Sequence, residues 1–440
     1  MRPRFPAFVL LLLILLSSQT LYANTNPAML ARAAVSEDTK KSAEAIAELR
    51  SMGPAGLNSL LETYEKEINE QVANPLLAAT PEWQRLASAL DAVSQQKDSY
   101  LAGLYWFTDF EQAKAVGRRA GKPILSLRLL GKLSEEYSCA NSRFFRTILY
   151  SNAEVSNALR TNFILHWKSE RPAPRVTIDF GDGRKLERTL TGNSIHYILD
   201  SDGDPLDALP GLYGPGAFLR SLARAEAAFK QFDNPGNKVK AADYHLARLN
   251  AINVAWLADI QKTGGKTPAS IVISVDRNGT PTAIQAARLA QTKIATEGAV
   301  LRAMLAGGEE LGTATDEATW RKIAELHQSD SRLDKRSLGL ILRQTHKALR
   351  SEGGERATDK MFAELVQKLE MNVALDTVRN EYQLHNRIFA WLIDSRENID
   401  LNKLNKKVYA ELFLTPASDP WLGLFSPDTY MALQNGGVFR

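Results

Sequence analysis

The chain has 440 residues, 54 Lys+Arg against 50 Asp+Glu, 44% hydrophobic residues and a single cysteine. A formal charge of +4 carried by interspersed residues makes no basic patch and argues against nucleic acid as a partner. One thiol excludes an internal disulfide, and a chain of this length should divide into two or three folding units built on packed cores.

Residues 1–23 read as a secretion signal, with Arg2 and Arg4 ahead of an apolar stretch from Phe8 to Leu16 and Ala23 at the expected cleavage point. The stretch is short for a bilayer span of about 20 apolar residues, so a membrane partner is expected only if the segment stays uncleaved. A periplasmic or secreted location is the expectation. Residues 24–98 read as a helical lead-in, in which Leu57, Leu60, Leu61, Tyr64 and Ile68 recur at helical spacing after the Gly53-Pro54 turn.

Residues 99–232 alternate strand and helix, the pattern of an α/β layer structure. An amphipathic helix from Asp109 to Ala120 stops at Gly121-Lys122-Pro123, and Ile124-Leu125-Ser126-Leu127 follows as a buried strand. A loop delivers Cys139 to a helix N-terminus marked by Phe144, Phe145, Ile148 and Leu149. Asn152 caps a short helix, Phe163-Ile164-Leu165-His166-Trp167 is the next strand, and residues 175–189 make a hairpin about Gly181-Asp182-Gly183. A strand over 194–199 closes on Asp200-Ser201-Asp202-Gly203, and Pro210-Gly211 leads through a loop into a helix carrying Phe218, Leu219 and Phe229.

Asn234-Pro235-Gly236-Asn237 marks a boundary, and residues 233–440 read as a large, mostly helical C-terminal domain with one strand at 271–275. Gly307-Gly308 and Gly353-Gly354 read as helix stops; no glycine-rich phosphate loop is present. A helix bearing Asp376, Arg379, Asn380, His385, Arg387 and Asp394 presents a charged face. Asp376, Arg379 and Asn380 are candidates for a polar network holding the Asp419-Pro420-Trp421 tail, which packs over the helical domain.

Cys139 sits in Tyr137-Ser138-Cys139-Ala140-Asn141-Ser142, a C-x-x-S. The stretch from Tyr105 to Phe229 resembles the secreted thioredoxin-like proteins. The likeness is carried by Asp109-Phe110-Glu111 with Gly121-Lys122-Pro123, by Cys139 followed by Phe144, Tyr150, Asn152, Glu154 and Val155, by Leu199-Asp200 with Asp202-Gly203, and by Pro210-Gly211 ahead of Phe218-Leu219. It implies an α/β thioredoxin-like domain, a mixed sheet flanked by helices, with Cys139 at the nucleophilic cysteine and Ser142 where the resolving cysteine would stand. It also puts Ser194 at the position of the family's cis-proline and a hairpin where the family has a helix. A trans Asn193–Ser194 bond is expected, because a non-proline cis bond costs about 3–4 kcal/mol.

A hydroxyl at Ser142 cannot resolve a mixed disulfide, so turnover would need an external thiol. The helix N-terminus, Arg143 and Arg146 favour a thiolate at Cys139, and Glu135 and Glu136 oppose it. The expected function is monothiol chemistry on a protein partner or peptide substrate of the cell envelope. Cys139 is the nucleophile in that reading, and Tyr137, Asn141, Ser142, Asn193 and Ser194 shape its groove. The alternative is a redox-inactive module that holds a protein partner. No cofactor is called for, and His166 and His196, without close ligand spacing to a third group, read as satisfied strand histidines rather than metal ligands.

Overall fold

The computed structural model describes residues 26–189, 192–232, 241–265, 311–312, 315–394, 400–419 and 422. The expected signal, the boundary at 234–237, the strand at 271–275, Gly307-Gly308 and Pro420-Trp421 lie outside the described residues.

The lead-in forms five helices, α1 (Pro27–Ala34), α2 (Thr39–Ser51), α3 (Pro54–Thr63), α4 (Glu65–Ala73) and α5 (Pro81–Ser94). Three of them open on a proline, whose missing N–H is no loss in a first turn. Asp38 caps α2 by accepting from the Lys40 and Lys41 amides. Leu49, Leu57, Leu60 and Leu90 form a core of their own here, and Gly56 lets α3 lie directly on the Leu49 carbonyl.

The α/β part runs β1 (Trp106–Phe107), α6 (Phe110–Ala120), β2 (Ile124–Leu130), α7 (Ala140–Phe144), α8 (Ala153–Asn162), β3 (Ile164–Arg171), β4 (Arg175–Asp179), β5 (Lys185–Thr189), β6 (Ser194–Leu199), β7 (Pro205–Pro210) and α9 (Pro215–Phe232). Asp109 and Asn152 cap α6 and α8, and α6 ends on left-handed Gly121. The five-stranded sheet has the order β1-β3-β2-β6-β7, the first three strands parallel and the last two antiparallel to their neighbours. Central β2 is buried along its whole length, as an unbroken apolar run requires when both faces are covered. The hairpin β4–β5 stands as a separate two-stranded sheet.

Strand β7, which the sequence pattern leaves unassigned, lies at the sheet edge and among the described residues pairs only with β6; Pro205 and Pro210 fall at its ends, where a missing donor is tolerated.

Register sorts the side chains into two faces. Leu127 stands beside Trp167 and His196, and on this face Tyr150 and Phe218 pack on the His196 ring. Ser126 stands beside His166 and Tyr197 on the other face, where Phe110 of α6 packs on His166.

Beyond these come α10 (Ala241–Lys262), α11 (Glu317–Leu326), the 45-residue α12 (Lys335–Arg379), a π-helical turn Asn380–His385, α13 (Asn386–Asp394), α14 (Leu401–Lys407) and a second π-helical turn, Val408–Leu412. At about 1.5 Å per residue, α12 is roughly 70 Å long. Gly353 and Gly354 lie inside it and do not stop it. Each glycine costs roughly 1 kcal/mol relative to alanine, a penalty that a long helix capped by Asp334 at its start absorbs. α14 covers the Tyr197 face of the sheet, with the Tyr197 hydroxyl donating to Asn405 Oδ1 at 3.2 Å. A single apolar cluster runs from the sheet through Trp256, Trp320, Phe389 and Leu404, so sheet and C-terminal helices share one core.

The turn after β7 makes a close backbone demand at this junction. Gly211 has φ +76°, and a Cβ there would fall 2.6 Å from Asn380 Nδ2, which itself donates to the Leu212 carbonyl. Gly211→Ala is therefore expected to cost about 1–3 kcal/mol, read as a lower urea midpoint at unchanged slope. An unchanged midpoint would mean that Asn380 does not pack on this turn.

Candidate functional site

Cys139 is the N-terminal cap of α7, and its amide donates to the Leu130 carbonyl at the end of β2. Its side chain is fully buried in the main apolar cluster. Asn141 and Ser194, predicted to share the groove, meet through a 2.7 Å bond from Asn141 Nδ2 to Ser194 Oγ. Ser142 is buried beside them, and its hydroxyl has no hydrogen-bond partner among the described residues. The Asn193–Ser194 bond is trans. Tyr137 stands apart from this group at the surface, with the Arg175 guanidinium 4.4 Å over its ring.

Two pieces of the chain close the site. Thr189, at the base of the hairpin, donates to the Ser138 carbonyl at 3.0 Å and accepts from Arg143 at 2.6 Å, so Arg143 is turned onto the hairpin. Arg146 is likewise spent on the Glu135 and Glu136 carbonyls. On the other side lies the C-terminal segment. Arg171 donates to the carbonyls of Asp419 at 2.8 Å and Thr415 at 2.9 Å, and Asn193 Nδ2 donates to Thr415 Oγ1 at 3.0 Å. The Tyr409 hydroxyl reaches the Asn193 carbonyl at 3.3 Å, and Leu412, Leu414 and Leu422 are buried in the cluster that holds Cys139. Burial pushes the Tyr409 phenol far upward, with the Glu170 carboxylate and the Cys139 thiol adding to the effect.

Among the described residues, the contacts of Arg379 and Asn380 are made elsewhere than on the tail. Arg379 pairs with Glu317 at 2.6 Å and Asn380 binds the Leu212 carbonyl, while Arg171 and Asn193 carry the tail contacts. The two strand histidines have protein partners, Ser126 for His166 at 2.8 Å and the Tyr150 hydroxyl for His196 at 2.6 Å. Burial draws both imidazoles down to about 3, so both are neutral at physiological pH.

A second polar centre lies where β7, α9, α10 and the end of α12 meet. His385 is fully buried between Asp207 Oδ1 at 2.6 Å and Glu381 Oε2 at 2.8 Å. Desolvation opposes a charge on His385, yet the two carboxylates prevail and raise it to about 9. His327 bonds Asp259 at 2.5 Å and is also raised to about 9, chiefly by the Asp259 and Asp330 carboxylates. Tyr382 donates to the same Asp259 oxygen at 2.6 Å, and the Arg220 fork clasps both oxygens of Asp330 at 2.5 Å.

Helical periodicity places His385 on a charged face that reads as solvated, and Arg379 and Asn380 among candidates for a buried polar network; all three are buried. A single acid, Asp207, inside the apolar run Leu206 to Leu209 was the available signal of a buried partner.

Among known proteins, no family model and no curated sequence matches this chain.

Four of the six histidines set opposite slopes of stability with pH. His166 and His196 bind protons only when unfolded between about 3 and the ordinary value near 6.5, so stability should rise with pH through that window. His385 and His327 stay protonated in the fold above 6.5, so stability should fall as pH rises from 6.5 toward 9. Urea midpoints measured from pH 4 to 9.5 are expected to peak at about 6–7; a profile still rising at pH 9 would contradict the charged state of His385.

Proposed function

We propose that this chain is an exported thioredoxin-like protein that holds a protein partner in the cell envelope and does not turn over disulfides. A mixed sheet with helices on both faces, in the element order that the resemblance implies, supports the fold assignment. The hairpin replaces the family's helix between β3 and β6, and α14 covers sheet surface in its stead. A C-x-x-S at the N-terminus of α7 fits a descendant of a dithiol scaffold that has kept the architecture and lost the resolving thiol.

The observation that carries this reading is the burial of Cys139 beneath the chain's own C-terminal segment. Disulfide exchange requires a disulfide sulfur to approach a thiolate directly, and Thr189, Tyr409 and the residues that follow stand around that approach. A binding role keeps a surface of its own. Val176, Ile178 and Phe180 alternate along one face of the hairpin and are 38%, 47% and 54% exposed. Two strands with open edges and alternate apolar side chains suit an extended segment of a partner that adds by strand pairing.

Native Cys139 is expected to react with iodoacetamide about 100-fold more slowly than in urea, since the thiol becomes accessible only on opening. Arg171→Gln, which deletes both bonds to the tail carbonyls, should accelerate the native reaction about 10-fold, the effect of losing roughly 1.4 kcal/mol of closure. The wild-type protein should leave the rate of insulin reduction by dithiothreitol unchanged. Catalysis that vanishes in Cys139→Ser would overturn the binding reading in favour of monothiol exchange.

A further inference from the structure

Between α9, α10 and the end of α12 lies a half-open cavity of about 180 Å³, lined by Arg220, Arg224, Arg248, His327, Asp330 and Glu381 among others. Its cations are unequally served. Arg220 is matched to Asp330, and His327 to Asp259 and Asp330, whereas Arg224 and Arg248 pair with Glu381 Oε1 at 3.7 Å and 3.6 Å, beyond hydrogen-bond distance; Arg224 Nη2 donates instead to Ser221 Oγ at 2.8 Å. The other oxygen of Glu381 is already bonded to His385. Arg248 Nε and Nη2 and Arg224 Nε are buried with no hydrogen-bond partner among the described residues. Buried guanidinium donors without acceptors are uncommon, and a planar fork is the geometry that takes a two-oxygen anion.

Formal charge names the class of anion. Four cations line the cavity, with His327 protonated at neutral pH, against the two carboxylates Asp330 and Glu381. Behind the wall lie Asp259, shared by His327 and Lys262, and Asp207, which shares His385 with Glu381. Counted together, six cations (Arg220, Arg224, Arg248, His327, Lys262 and His385) stand against four carboxylates (Asp330, Glu381, Asp259 and Asp207), and a net charge of +2 in a partly desolvated site favours a dianion over a single carboxylate.

We propose that this cavity binds a phosphate group, free or carried by a small molecule, with the Arg224 and Arg248 guanidinium groups as its principal donors. The cavity is small beside sites that enclose drug-sized ligands, typically about 300–1,000 Å³. Its open mouth leaves room for an ester substituent outside. The site does not involve Cys139 or the hairpin, so it stands whether or not the binding reading of those parts is right.

The full mature chain should be titrated with inorganic phosphate and, separately, with glycerol phosphate, against sodium chloride of matched ionic strength, by calorimetry and thermal melting. Saturable binding with a rising melting temperature is expected for phosphate and not for chloride. Equal or tighter binding of glycerol phosphate identifies a carried phosphate group; binding of inorganic phosphate alone identifies the free anion. Both outcomes support the site. Arg248→Gln and Arg248→Lys should each weaken phosphate binding at least about 10-fold, the second because a point charge replaces a fork. Far-ultraviolet circular dichroism and unliganded melting establish that each variant folds. If neither phosphate binds saturably to the wild type, or if Arg248→Lys and a separately made Arg224→Gln bind as the wild type does, the proposal is overturned.

Discussion

A protonated imidazole with no access to water depends on its neighbours for its charge, and His385 has two carboxylates to supply it. Removing Asp207 would leave the buried His385 cation with Glu381 alone, and removing His385 would leave Asp207 without its bonded cation, so the three groups must be brought together as the chain folds. Such a cluster specifies position more than it adds net stability, because desolvation offsets much of the attraction. The position it specifies is long-range. Asp207 is held in β7 by its register with Ile198, and Glu381 lies one turn before His385 on the π-helical turn that ends α12. Once these meet, the Gly211 turn lies on Asn380, the Gly214 amide bonds Thr377 Oγ1, and α9 and α10 bring Arg224 and Arg248 to Glu381 Oε1.

Much of the fold was legible where the controlling physics is local. Asp109 and Asn152 announced helix starts because a short side chain next to an amphipathic run has amides to cap, and both do so. Gly121 and the Gly181–Gly183 turn require positive φ and have it. The apolar run at β2 was a strand for the same reason that it is buried on both faces. Local rules left β7 unassigned, because the prolines that flank it suit a strand only when it lies on an edge. They failed at Gly353-Gly354, where propensity yields to the length of α12.

The candidate site was legible in part. Asn141 and Ser194, named together from the resemblance, meet through a hydrogen bond, yet nothing near Cys139 foretold that Thr415 and Asp419 would lie across the groove. Those contacts span more than two hundred residues and are made to backbone carbonyls, which carry no sequence signal. The charge cluster had the same defect. His385 and Asp207 are 178 positions apart, and a helical wheel cannot distinguish a charged face in water from one pressed against a sheet edge.

The way Arg171 holds the tail bears on what the groove can do. Because both of its bonds go to main-chain carbonyls, it would hold many peptides of suitable shape as readily as this one. The occupant it has is tethered, and a tethered segment competes at an effective concentration in the millimolar range, about a thousandfold above a typical micromolar competitor. Asn193, Thr415 and the buried Leu412 and Leu414 give that segment further contacts. An external peptide must then displace the tail before it touches Cys139. The exposed apolar face of the hairpin carries no such penalty, so a segment that adds to Val176, Ile178 and Phe180, as the proposed binding role requires, has no tail to displace.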